Sequence, residues 1–264
     1  MHILTLKVGN KYKPEYVNNL YKSLKDNSTL PFKMHCYTDD ISGLHEDIEV
    51  KFDYHNPPPH LLQWNKLLFH KTGFFDTIKE SEHCLILDID QTVIGDFDPI
   101  LGHVLEEGQF GCMFRWWSKL TDKCAINGGF QMFRMGDTNH LYEKFSEDPQ
   151  YWQEYYIKND LASGPVNGEQ NFIDQHVGDN RHWFPMEWFG KYEPYDIEII
   201  QSQWLKHVNK FDPFFLDGEF SETVKLLHFS GRLNDMHRHY LRSVQQYWNG
   251  EEFGSQDYLR KNRQ

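Results

Sequence analysis

Short apolar runs alternate with amphipathic stretches along the first half of the chain. His2–Val8 is rich in β-branched and apolar residues and predicts a strand, with a polar loop at Gly9–Lys13 behind it. From Pro14, residues Val17, Leu20, Tyr21 and Leu24 recur at helical spacing, and proline suits a first helical turn. Phe32–Tyr37 alternates as a second strand and stops at Thr38-Asp39-Asp40; Glu49–Phe52 is a candidate third. Pro57-Pro58-Pro59 punctuates the chain. Leu61–Phe69 then spaces Leu61, Trp64, Leu67 and Leu68 for burial on one helical face. Cys84–Leu87 is a continuous apolar run, as expected of a strand buried on both faces, and it empties into Asp88-Ile89-Asp90. Phe110–Phe114 and Gly129–Phe133 predict strands; His140–Phe145, Tyr151–Ile157 and Gln170–Val177 predict helices. Val224–Phe229 is a late strand ending at Ser230-Gly231. A final helix is expected from near Asn234 to Asn249-Gly250, its buried face marked by Met236, Tyr240, Leu241, Val244 and Trp248, followed by a polar tail.

This alternation predicts an α/β domain with a mixed, mostly parallel central sheet flanked by helices, spanning residues 1–250, with 251–264 as the tail. Ligands in such sheets bind beyond the carboxyl ends of the strands. The polar clusters Gly9–Tyr12, Thr38–Asp40, Asp88–Asp90 and His228–Gly231 all fall at such ends. Lys plus Arg is 27 against 39 Asp plus Glu, a net charge of −12, which argues against coating nucleic acid or an anionic membrane. No apolar run approaches the ~20 residues a membrane helix needs. The opening MHILTLKVGNKY reads as a strand rather than a signal peptide, so a cytoplasmic location is expected. Cys36, Cys84, Cys112 and Cys124 form no CxxC pair, and three lie in apolar runs, so buried free thiols are expected.

The chemistry centres on Asp88-Ile89-Asp90. Strand alternation sends the two carboxylates to one side and Ile89 to the other. Adjacent carboxylates repel, and a hard divalent cation removes that conflict while leaving room for phosphate oxygens. Two chemistries use this strand ending. One is a metal-assisted glycosyltransferase. The other is a haloacid dehalogenase-like phosphatase, for which Asp88-Ile89-Asp90-Gln91-Thr92-Val93 would supply Asp88 as nucleophile and Asp90 as acid/base. That motif normally ends the first strand of its domain, whereas two or three strands precede it here.

An ordered set of further motifs favours the first. Leu6–Tyr12 with Glu15–Asn18, Cys36–Asp40, Trp64-Asn65-Lys66-Leu67, Leu87–Asp90 with Val93–Asp98, Asn127–Met132, Gly168-Glu169-Gln170 and Leu227–Gly231 follow in sequence. Together they resemble GT-A glycosyltransferases, Rossmann-like nucleotide-diphospho-sugar transferases, and within them glycosyltransferase family 8 and its short bacterial and viral relatives. The resemblance implies a UDP-sugar donor, a glycan or other hydroxyl acceptor, Mn²⁺ or Mg²⁺ held by Asp88, Asp90 and His228, and retention at the anomeric carbon. It places Gln170 near the anomeric centre, with Glu169 beside it. It places Val8, Gly9, Tyr12, Asp39, Lys66, Ile89, Asn127, Gly128, Gly129, Gly231 and Arg232 around the nucleotide sugar. Gly9 would let backbone approach the base, Tyr12 would stack on it, and Asp39 would accept a proton from the ring nitrogen. Two departures stand out. Glu169 occupies a place usually held by Asp. Asn234-Asp235-Met236 replaces a Lys-Pro-Trp whose Lys grips phosphate, leaving Arg232, Arg238 and Arg242 as candidate substitutes. A non-catalytic nucleotide-sugar-binding module is the remaining alternative.

Overall fold

The computed structural model describes residues 1–53, 62–118, 120–162, 168–191 and 221–229. The triple proline, Gly231, Arg232, Arg238, Arg242, the expected final helix and the tail lie outside the described residues.

Seven strands form the central sheet in the order β3-β2-β1-β4-β7-β6-β8. Strand β1 (His2–Lys7) pairs in parallel with β2 (Lys33–Thr38) and β4 (His83–Leu87), and β2 with β3 (Glu49–Phe52). The long β7 (Ile126–Arg134) runs antiparallel to both β4 and β6 (Phe110–Phe114), and the edge strand β8 (Arg181–Trp183) is parallel to β6. The sheet is therefore mixed and mostly parallel, as the apolar pattern predicts.

Alternation along the strands divides the core into two layers. Ile3, Leu85, Leu87, Phe130 and Met132 lie in one layer of the core, which also takes in Val17, Leu20, Tyr21 and Leu24 from helix α1 (Pro14–Asp26). Leu4, Cys84, Ile86 and Phe133 face the other way, toward α3 (Asn139–Glu147), α4 (Pro149–Lys158) and α5 (Glu169–His176). Pro14 stands in the first turn of α1, where its missing N–H leaves no bond unmade. All four cysteines are buried free thiols.

The stretch after the triple proline is a 3₁₀ helix, Leu62–His70, rather than an α-helix. Its tighter winding aligns residues three apart, so Trp64, Leu67 and His70 form one fully buried row. Trp64 stacks on Phe145 with ring centroids 5.2 Å apart. This packing holds Lys66, on the same turn, against the end of β4.

A second, three-stranded sheet was not visible in the apolar pattern. Its order is β5-β10-β9, from β5 (Gln91–Val93), β9 (Phe189–Lys191) and β10 (Leu226–His228). The central β10 sets His228 opposite Gln91 on one side and Lys191 on the other. The Phe229 N–H donates to the Asp90 carbonyl at 2.9 Å, which fixes the late strand beside the acidic motif. The short helix α2 (Asp98–Leu101) follows β5. Among the described residues, no helix is long and apolar enough to cross a membrane.

Buried His70 ties the helical layer to β7, its ring nitrogens 2.9 Å from the Thr138 hydroxyl and 3.2 Å from the Gln131 carbonyl oxygen. Burial pushes its pKa down to about 3. The unfolded chain therefore binds a proton that the folded chain refuses between about pH 6.5 and 3, and stability falls as the pH drops through that window. Urea unfolding is expected to show a loss approaching ~1.4 kcal/mol per pH unit from this group. The His70→Gln variant, though less stable at pH 7.5, should lose less between pH 6.5 and 5; an unchanged acid slope would contradict this.

Candidate active site

The carboxyl ends of β1 and β4, the start of β7, the start of α5 and the end of β10 surround one pocket of about 410 Å³. Its lining includes Val8, Tyr12, Lys66, Asp88, Ile89, Asp90, Asn127, Gly128, Gly129, Glu169, Gln170 and His228, so most of the residues expected from sequence meet at one place. Gly9 and Asp39 instead shape the loop beside it. Gly9 has φ +74°, a left-handed conformation suited to glycine, and its N–H donates to Asp39 Oδ2 at 2.8 Å. Leu6, Lys11, Gln63, Arg115 and Trp117 complete the lining.

Lys66 is the charged centre of the pocket. Its Nζ lies 2.8 Å from Asp88 Oδ1 and 3.8 Å from Glu169 Oε2, and it donates to the Gly128 carbonyl at 3.0 Å. Burial alone would lower its pKa, but Asp88 and Glu169 overcome that and hold it above the ordinary lysine value. Glu169 is 3% exposed, and burial raises its carboxyl to about 7 despite Lys66. Gln131 Nε2 donates to Glu169 Oε1 at 3.2 Å and to the Gly128 carbonyl at 2.7 Å. The chain His70–Gln131–Glu169–Lys66–Asp88 thus runs from the helical layer to the acidic motif.

The Asn127-Gly128-Gly129 segment lies close under this network. The Gly129 N–H donates to Asn127 Oδ1 at 2.7 Å, and the Gly128 N–H donates to Gln170 Oε1 at 3.2 Å. A Cβ on Gly129 would fall 2.5 Å from Asp88 Oδ2, so only glycine fits there without moving the carboxylate. The second carboxylate has different partners. Asp90 accepts a hydrogen bond from Tyr12, whose phenol is held well above its ordinary pKa first by burial and then by Asp90 and Asp88. His228 Nε2 stands 3.7 Å from Asp90 Oδ1. Burial and the nearby Lys191 hold His228 neutral, its pKa well below the usual value. Its Nδ1 has no hydrogen-bond partner among the described residues. Among those residues, no three or more His, Cys, Asp and Glu side chains converge as a ready-made cation cage.

The architecture matches known enzymes. The galactosyltransferase LgtC, solved with donor and acceptor sugar analogues, superposes with a TM-score of 0.60 at 13% identity over 94% of each chain. The glycosyltransferase GlyE of Streptococcus pneumoniae TIGR4 gives 0.62 at 13% identity over 98% of this chain and 63% of its own. Mouse xyloside xylosyltransferase 1, in its apo form, gives 0.52 at 12% identity over 87% and 97%. A variant described as a Gln-to-Glu active-site mutant of LgtC gives 0.59. The chain has the GT-A fold. No protein-family model and no curated protein matches its sequence. The phosphatase expectation falls with the fold, since Asp88 follows the fourth strand of a GT-A sheet rather than the opening strand of a phosphatase core.

Replacing Lys66 removes the cation between two carboxylates. Because the Glu169 pKa is raised above its unfolded value near 4.5, its contribution to stability falls as pH rises from 4.5 toward 7. Without Lys66 that penalty grows. Lys66→Met is expected to cost ~3 kcal/mol or more at pH 8, as for breaking a buried ion pair, and less at pH 5.5. The double variant with Glu169→Gln should recover part of the loss at pH 8. Denaturant titrations giving the same cost at both pH values would refute this.

Proposed function

We propose that the protein is a glycosyltransferase that moves a sugar from a nucleotide diphosphate, a UDP-sugar, to a hydroxyl acceptor. The observation that carries this reading is the meeting, in the cleft of a GT-A fold, of Asp88 and Asp90, Lys66, Gln170 and His228 from four separate segments. GT-A neighbours that are named as glycosyltransferases support it.

The donor set suits Mn²⁺ or Mg²⁺. Carboxylate oxygens and a neutral imidazole are fitting ligands, and a 3.7 Å gap between Asp90 Oδ1 and His228 Nε2 is too long for a hydrogen bond but suits two ligands of one ion. Asp90 and His228, with Asp88, would hold the ion, which would act as a Lewis acid on the leaving diphosphate. Tyr12 fixes Asp90 by donating to it and presents its ring on the nucleoside side of the pocket. Lys66 holds Asp88 in place, and Glu169 with the Gly128 carbonyl orients Lys66. Glu169 is thus a positioning residue rather than an exposed nucleophile. Gln170 has its side-chain carbonyl oxygen fixed by the Gly128 N–H, where it can stabilise positive charge developing at the anomeric carbon. The LgtC variant marks a glutamine as part of that enzyme's active site. The pocket offers no well-placed free nucleophile among the described residues, so transfer with retention would proceed by front-face attack of the acceptor hydroxyl, its proton passing to the leaving phosphate.

Purified protein with Mn²⁺ is expected to hydrolyse a UDP-sugar slowly without acceptor and to stop when a chelator is added. Asp90→Ala should lower the rate at least ~100-fold. Gln170→Ala should lower kcat by a similar ~100-fold while UDP affinity stays near wild type, the mark of a group acting in the transition state. Full activity in chelator would refute the metal role, and tight Mn²⁺–UDP binding without turnover across a broad donor panel would favour a binding module.

A further inference from the structure

Among the described residues, two buried cations line the pocket, and they differ in how their charge is met. Lys66 sits between two carboxylates. Arg115, just beyond β6, is 6% exposed and makes no ion pair among the described residues. Its Nη2 donates to the Leu120 and Cys124 carbonyls at 3.3 and 3.2 Å, which locks the guanidinium plane. Its Nε has no hydrogen-bond partner among the described residues. Asp174, the carboxylate whose charge reaches it, is already ion-paired to Arg181 and accepts the Ala125 N–H at 2.8 Å. A buried guanidinium left with open donors is costly unless something else supplies the anion. The pocket it lines is where such a group would come from.

Its position in the sheet narrows which group that is. The order β1-β4-β7-β6 places the Gly9–Tyr12 loop on one side of the acidic motif and Arg115 on the other. With strands about 4.8 Å apart, Arg115 stands two strands, or roughly 10 Å, past the strand that carries Asp88. A donor with its nucleoside toward β1 and its diphosphate at Asp90 and His228 has its sugar over the Asn127-Gly128-Gly129 start of β7. Arg115 then lies beyond that sugar, beside the half-buried Trp117. Resting on the glycosyltransferase reading above, we propose that Arg115 is a specificity-determining residue that receives a carboxylate or phosphate carried by the transferred sugar or by the acceptor. The planar fork of Arg suits such a group, and the two backbone carbonyls hold it ready.

The test is calorimetric titration with Mn²⁺ present, in two arms. The donor arm compares UDP-glucuronate with UDP-glucose. The acceptor arm compares methyl glucuronide with methyl glucoside on protein already holding UDP. Wild type is expected to prefer the anionic member of one pair by roughly 30-fold or more, as for a buried charged hydrogen bond, and the arm that shows it identifies the source. Arg115→Gln should lose the preference, and Arg115→Lys should keep part of it, with melting curves checking that both variants are folded. The inference is overturned if wild type shows no anionic preference in either arm, a result that needs no variant. It is also overturned if Arg115→Gln weakens UDP itself as much as the anionic ligand, which would make Arg115 a diphosphate contact. Failure of UDP and both UDP-sugars to bind would defeat the glycosyltransferase reading and this inference with it; binding of UDP without an anionic preference would defeat this inference alone.

Discussion

The Lys66 ammonium group holds the pocket together by meeting three chain segments at once: the end of β4 through Asp88, the start of α5 through Glu169 and the start of β7 through the Gly128 carbonyl. Without a buried cation there, two carboxylates would face each other in a site of low polarity, and one would take up a proton. The fold supplies that cation from the 3₁₀ helix, whose Trp64, Leu67 and His70 are locked into the core beneath it. Core packing in the helical layer therefore fixes the electrostatics of the sheet's mouth. The relay continues through Gln131 to His70, so acid that charges His70 would disturb the same network from behind.

That arrangement divides the acidic motif by role. Asp88 is compensated by protein, whereas Asp90 faces Tyr12 and a neutral imidazole and retains the capacity to bind something positive. The second sheet makes the division possible. β10 is sandwiched between β5 and β9, and its register brings His228 to Asp90 across a long sequence separation. Gly129 has no side chain where one would strike Asp88, so β7 can approach closely enough to present Asn127 and the Gly128 amide to the same space. The cleft thus runs from the loop after β1, across the Asp90–His228 pair, to the start of β7 and the end of β6.

Much of this was legible in the residues. The buried strands β1, β2, β4 and β6 announce themselves as apolar runs, and the polar clusters at their ends mark the cleft. The paired Asp88 and Asp90, with His228 before Gly231, stood out by residue type and position, and all three side chains line the pocket. Three-residue strands such as β5, β8 and β9 were not legible, because they are too short to establish a period of two. Which kind of helix follows the triple proline was not legible, because spacings of three and four both suit Leu61–Phe69 over so short a stretch. No contact could be assigned to Arg115 from sequence, because nothing local distinguishes a buried arginine after a strand from a solvated one. Its importance comes from the open donors and from carbonyls contributed by Leu120 and Cys124, which appear only in three dimensions. Asp39, a carboxylate expected to touch a base, has a role that the sequence did not show: it anchors the Gly9 backbone.

The central claim is that Asp90 and His228 converge to share a divalent cation that the protein's own charges leave room for. Crystals grown with UDP and Mn²⁺, measured at the manganese absorption edge, test it most directly. The account predicts one anomalous peak within bonding distance of both Asp90 and His228, with diphosphate oxygens completing its shell and Lys66 still paired to Asp88. UDP bound in the pocket with no anomalous peak between those two side chains would contradict it.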